Sequence, residues 1–377
     1  MKRFTVANAT EGDYMNAIEK IISERNIPSV LTTKRGRVIK SARDFDSQRE
    51  NIKHMLEEHI YGVMPPRPEH LKVELVTQDD RFAAGKAPLQ KLNMTVTING
   101  TDFTFPFYAV IPKNKTNVPA FVHINFRPDV PDRYMSSEEL VDEGFVVFSF
   151  CYKDVTSDDN NFKNGIAKLL CPSRRALNST GKIAMWAWAA MRVMDYIETL
   201  DVIDKSNVAV VGHSRLGKTA LVTGAFDERF KYAMSNDSGC SGAAITRGKC
   251  GEHIVNITNN FSFWFCPRYA KYAADESTLP LDQNFLTALI APRFIVIGSA
   301  EEDTWADPTS EFLNAYMTSD VYKLYGFVGL GKVDEIPQPK SVIEGDRICY
   351  QVRHGIHFFS REDWKVYADY LKKNINN

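Results

Sequence analysis

Residues 207–226 read NVAVVGHSRLGKTALVTGAF. The run Asn207–Gly212 is short, apolar and β-branched, as a buried strand is, and from Lys218 the residues are those of a helix. Only Gly212-His213-Ser214 and a few residues more separate the two, so the chain turns sharply from strand to helix with Ser214 at the corner. A serine so placed stands clear of the sheet. The helix start behind it offers backbone N–H groups and a positive dipole end to an oxyanion. Gly212 suits the tight turn. The usual pattern is G-x-S-x-G, whereas Leu216 occupies the second glycine position here and Gly217 follows one place later. A bare G-x-S is common; the flanking strand and helix carry the reading, against a plain helix N-cap role for Ser214.

Working outward, AFVHINF (120–126), GFVVFSF (144–150) and RFIVIGS (293–299) are runs of the same kind, with helical segments between them such as IAMWAWAAMRVMDYIETL (183–200) and EFLNAYM. Alternating strands and helices predict βαβ units around a mostly parallel central sheet, a three-layer αβα sandwich. Ahead of these, HLKVELVTQ, KLNMTVTING and FTFPFYAVI alternate apolar and polar residues, as half-exposed antiparallel strands do, and Asn99-Gly100 makes a hairpin turn. YMNAIEKIISER and DFDSQRENIKHMLEEHIYGVM have helical spacing and stop at Pro65-Pro66-Arg67-Pro68. The division expected is a helical extension over 1–68 packed on a catalytic domain over 69–377. Ser360-Arg361-Glu362-Asp363 forms a capping box that opens the final helix.

The 377 residues are 44% apolar and 25% charged, ordinary for a globular enzyme, and Lys plus Arg (46) nearly balance Asp plus Glu (47). Such balance gives no footprint of a nucleic-acid or anionic-membrane partner and points to a small or neutral substrate. The six cysteines, Cys151, Cys171, Cys240, Cys250, Cys266 and Cys349, contain no CxxC pair and read as free thiols, neither a disulfide framework nor a zinc site. No stretch has the roughly 20 apolar residues of a spanning helix. FTVANATEGD after Met1-Lys2-Arg3 is too polar for a signal peptide, so a cytoplasmic location is expected unless a leader has been removed.

A serine nucleophile needs a base, and the base an orienting carboxylate. In an α/β-hydrolase, the fold these features specify, the histidine comes last, before the final helix. His357 in RHGIHFFSREDW holds that place, with His354 in reserve and a solvent-exposed loop histidine as its ordinary alternative. His213, beside the serine, reads as a packing residue. Two acids compete: Asp237 in MSNDSG after the strand-like FKYAMSN, and Asp303 in GSAEEDTWADP after FIVIGS. Glu301 and Glu302 read as surface charges. Spacing alone does not choose between Asp237 and Asp303.

GHSRLGKTAL, SNDSGCSGAA, LPLDQNFLTALIAPR and SAEEDTWADP together resemble bacterial glucuronoyl esterases, carbohydrate esterase family fifteen, from about Tyr61 to the C-terminus. The shifted glycine is a trait of that family's G-x-S-R-x-G-K core. The resemblance implies that Arg215 helps hold the oxyanion and that Lys218, one turn on, donates to sugar hydroxyls. It also implies that Glu252 contacts the sugar and Trp305 stacks on it; by composition alone these would be surface charges and a gap-filling aromatic. Relatives place the acid at either site. Fungal members have glutamate at the first, where this chain has the shorter Asp237, so Asp303 is expected to be the main acid with Asp237 as partner or substitute.

The expected chemistry is two-step acyl transfer on a glucuronoyl ester of a small carbohydrate or oligosaccharide, with no metal or organic cofactor. A carbohydrate acetyl esterase, removing acetate from xylan fragments, is the nearest rival. A non-catalytic carbohydrate-binding relative is the remote one, since such a protein is expected to have lost Ser214, His357 or both acids.

Overall fold

A computed structural model of the chain describes residues 16–171 and 174–376. The N-terminal FTVANATEGD and the first two residues of YMNAIEKIISER lie outside them. Ten strands form one sheet: β1 His70–Asp79, β2 Leu89–Ile98, β3 Thr101–Val110, β4 Val118–Asn125, β5 Val146–Cys151, β6 Ile203–His213, β7 Tyr232–Asn236, β8 Phe294–Ala300, β9 Ser341–Glu344 and β10 Ile348–Arg353. Their spatial order is β1-β2-β3-β5-β4-β6-β7-β8-β10-β9. From β5 to β10 neighbouring strands run parallel, and β1–β3 and β9 add antiparallel edges. This is the mixed, mostly parallel sheet of an α/β-hydrolase.

The sequence signals map onto it directly. β4 to β8 are buried throughout or nearly so, because helices cover both faces, while β1 is exposed along most of its length. Asn99 and Gly100 both take positive φ (50° and 70°) and join β2 to β3 as a two-residue turn. The helix Lys182–Ile197 carries Trp186 and Trp188 into the core. Ser360 caps the helix Arg361–Lys373 through the reciprocal bonds of a capping box with Asp363. All six cysteines are free.

In the N-terminal segment, the helices Ala17–Glu24, Ala42–Asp46 and Arg49–Leu56 end in a π-turn at Glu57–Tyr61. Its contacts are with the rest of the chain. Arg49 donates to the carbonyls of Leu289 and Ala291, and Arg25 donates to Ser310 Oγ at 2.6 Å. The buried Tyr61 hydroxyl donates to the Ser241 carbonyl at 2.9 Å.

Two glycines shape the corner between β6 and the helix Arg215–Phe226. A Cβ on Gly212 would lie 2.2 Å from the Leu216 carbonyl oxygen, backbone that the helix itself fixes. A Cβ on Gly217 would lie 2.9 Å from Ser235 Oγ and 3.1 Å from the Asn236 carbonyl, so this glycine lets the helix lie close against β7. The shifted glycine thus has a packing reason three residues after the serine. Gly212→Ala is expected to cost about 3 kcal/mol by overpacking, read as a lower urea midpoint at unchanged slope.

Candidate active site

Every candidate catalytic group lies at the C-terminal ends of the parallel strands, where an α/β sheet carries its sites. Ser214 follows β6, Asp237 follows β7, and Asp303 and His357 follow β8 and β10. Register sets the level: His213 pairs with Asn236, and Asn236 with Gly298. Ser214 has φ 58° and ψ −127°, a backbone conformation that a side chain rarely takes and the one a nucleophile elbow requires. Its N–H donates to the Asn236 carbonyl at 2.8 Å, which ties the corner to β7. The first N–H groups of the helix behind it have no intrahelical acceptor.

The loops after β8 and β10 are laced together. Glu301 N–H donates to the Arg353 carbonyl (2.9 Å) and Glu302 N–H to the Gly355 carbonyl (3.0 Å). That lacing brings His357 Nδ1 within 2.5 Å of Asp303 Oδ2. An ionised carboxylate only accepts, so Nδ1 donates and Nε2 is the nitrogen left to take a proton. Asp303 is buried and also accepts from Ala306 N–H, while the His357 side chain stays 43% exposed. The imidazole lies against His213, the residue before the serine, with ring centroids 4.4 Å apart.

Asp237 is placed otherwise. It is buried, its Oδ2 lies 3.4 Å from Arg353 Nη2, and its Oδ1 has no partner among the described residues. Burial, then the nearby carboxylates of Glu311 and Asp363, push its pKa well above the usual range, with Arg353 opposing. Arg353, which sequence reading passed over, organises the histidine loop. Its guanidinium donates to the carbonyls of His354, Ile356 and Phe358 and to Asp363 Oδ2 at 2.8 Å. One buried cation thus holds three carbonyls around His357.

His213 packs as its sequence context suggested. It is buried, donates Nδ1–H to Asn236 Oδ1 at 2.7 Å, and stacks on Tyr134 and Phe359. Burial, with His357 adding to it, drives its pKa well down, so it is neutral. Ligand atoms of His213, Asp237 and His357 lie within 4.8 Å of one another, a spacing of metal type, but Asp237 already has Arg353 as its cation. His354 pairs with Glu301 at the surface, both about half exposed. His354→Ala is expected to change turnover by less than about 3-fold, measured as kcat/KM, because exposed pairs contribute little.

Arg215 opens the helix after the serine. Its guanidinium pairs with Asp158 and lies over Trp264 (4.6 Å to the ring centroid), while its buried Nε has no partner among the described residues. Lys218 is buried and donates to the carbonyls of Ser238 (2.5 Å) and Cys240 (2.6 Å); its Nζ is 3.9 Å from Glu252. Burial lowers its pKa, and Glu252 opposes the shift. Two of its three protons are therefore spent on holding the loop after β7. Glu252 N–H donates to the Trp305 carbonyl at 2.9 Å, and Trp305 itself is 53% exposed. Lys218 is thus linked to Glu252 by charge, and Glu252 to Trp305 through the backbone, with only Trp305 well exposed.

The family model described as "Glucuronyl esterase, fungi" matches residues 94–326. A carbohydrate esterase from an unknown prokaryotic organism is 31% identical over 96% of this chain and 92% of its own length. A 4-O-methyl-glucuronoyl methylesterase of Neurospora crassa is 26% identical over 80% of this chain and 73% of its own. Among solved structures, the glucuronoyl esterase from Solibacter usitatus superposes with a TM-score of 0.85 at 28% identity, covering 93% of this chain and 98% of that one. A promiscuous esterase of carbohydrate esterase family fifteen from a marine bacterial metagenome gives 0.84 at 30% identity, over 93% and 97%.

Proposed function

The chain belongs to the glucuronoyl esterase family, and from that premise we propose that it hydrolyses uronate esters of carbohydrates through Ser214, His357 and Asp303. It is a serine carboxylic-ester hydrolase. The observation that carries it is the 2.5 Å bond from His357 to Asp303 beside a serine in the strained elbow conformation.

In the first step His357 Nε2 takes the Ser214 proton as Oγ attacks the ester carbonyl. The oxyanion is met by the N–H groups of the helix start and by the Arg215 guanidinium, whose side chain is a quarter exposed. The imidazolium, held by Asp303, then protonates the departing alcohol. In the second step a water, deprotonated by His357, releases the acid and restores the serine. Asp237 serves this reading by lying against Arg353 behind the histidine loop. Lys218, with Glu252 and Trp305, supplies the wall on which a sugar ring rests.

The test compares turnover of a methyl or benzyl glucuronate with that of an acetylated xylo-oligosaccharide. Preference for the uronate ester is expected. Faster acetate release would keep the nucleophile but move the enzyme to carbohydrate deacetylation.

A further inference from the structure

Asp158 lies 57 residues before Arg215 in the chain and shares no strand or helix with it. Its carboxylate is nevertheless fully engaged. Oδ2 receives Arg215 Nη1 and the Tyr152 hydroxyl (2.8 Å), and Oδ1 receives Trp264 Nε1 (2.7 Å). The guanidinium it grips is enclosed by Trp264, Phe261 and Phe126, at 4.6, 5.3 and 5.8 Å from the ring centroids. The loop that carries Asp158 is itself fixed from below. Buried Lys182, at the start of its long helix, donates to the carbonyls of Ser157 (2.5 Å) and Asn161 (2.9 Å).

Such a hold has two physical consequences. A carboxylate on one Nη sets the plane of a guanidinium and so gives its remaining donors a defined direction. It also cancels a charge that aromatic rings surround and water only partly reaches; the Arg215 side chain is 25% exposed. The ester is neutral, whereas the uronic acid it yields is an anion. A bare arginine at the carbonyl site would hold that product.

We propose that Asp158 is the positioning residue of Arg215: it aligns the guanidinium for the oxyanion and, by neutralising it, keeps the carboxylate product from being retained. This rests on the role given to Arg215 in the uronate esterase reading above.

The test is a double-mutant cycle. Asp158→Asn and Asp158→Glu are made in the natural protein and in Arg215→Ala, with kcat and KM measured on methyl glucuronate. Dissociation constants for free glucuronate are measured by calorimetry, which needs no turnover. D158N is expected to lower kcat about 10-fold with KM within about 3-fold, since misaligned catalytic groups cost rate. It is also expected to tighten glucuronate about 10-fold, and D158E to restore wild-type affinity. In the R215A background D158N should change neither quantity. Unchanged glucuronate affinity in D158N, or equal losses with and without Arg215, would overturn the proposal. If D158N fails to fold, Tyr152→Phe, which removes one donor to the same carboxylate, is read by the same cycle. A wild type inactive on every uronate ester would count against the proposed function, while the calorimetric arm would still judge Asp158.

Discussion

Replacing Ser214 by alanine is expected to lower kcat on a glucuronate ester by about a million-fold, as removal of a serine nucleophile does elsewhere, with the fold intact. The loss is large because nothing else at the elbow can attack. Arg215 and Lys218 are committed to Asp158 and to backbone carbonyls, and His213 is neutral and bonded to Asn236. The structure should survive because Oγ is not among the bonds that hold the corner; the backbone N–H of residue 214 makes the tie to Asn236 and is retained. The oxyanion donors also remain, so a small rate above water is expected. Stopped assays with high enzyme, alongside a thermal melt superimposable on wild type, check both halves. A variant with full rate would remove Ser214 from the mechanism.

Asp303→Asn is expected to lower kcat by about ten thousand-fold, and Asp237→Asn by less than about a hundred-fold. Asp303 is the group bonded to His357 Nδ1, and an amide there can turn its NH₂ to the ring and hold the wrong tautomer. Asp237 lies within 4.8 Å of the base but makes no hydrogen bond to it among the described residues, and its polar contact is with Arg353. Its loss leaves that guanidinium with Asp363 and three carbonyls, so the histidine loop loosens but the base keeps its carboxylate. Equal losses in both variants would mean that the two acids share the histidine.

Much of this was legible in the chain. The apolar runs named β4, β5, β6 and β8, the alternating runs named β1–β3, and the elbow marked Ser214 as the candidate nucleophile, because burial on two faces, burial on one face and a strand-to-helix corner each leave a distinct residue pattern. His357 stood out as the candidate base by its place before a capped helix. The choice of acid was not, because Asp237 and Asp303 both follow strands and differ only in how the loops beyond them are laced. Asp158 and Arg353 were invisible for a related reason. Each acts on a residue brought near by sheet order or loop folding, and neither stands in a pattern of its own. The family resemblance makes Lys218 a donor to sugar and its residue type alone a surface lysine, and only the structure shows its ammonium turned onto the carbonyls of Ser238 and Cys240.

The tips of β7 and β8 stand side by side in the sheet, each followed by an aspartate near the same imidazole. This arrangement bears on descent. A lineage that gains the second acid before surrendering the first never passes through an ancestor whose histidine lacks a carboxylate, so the acid can migrate one strand across by ordinary point mutations. Once migration is complete, selection on the first site relaxes unless the residue acquires other work. In this chain the aspartate after β7 lies 3.4 Å from the arginine that shapes the histidine loop, a contact that would give it a reason to persist.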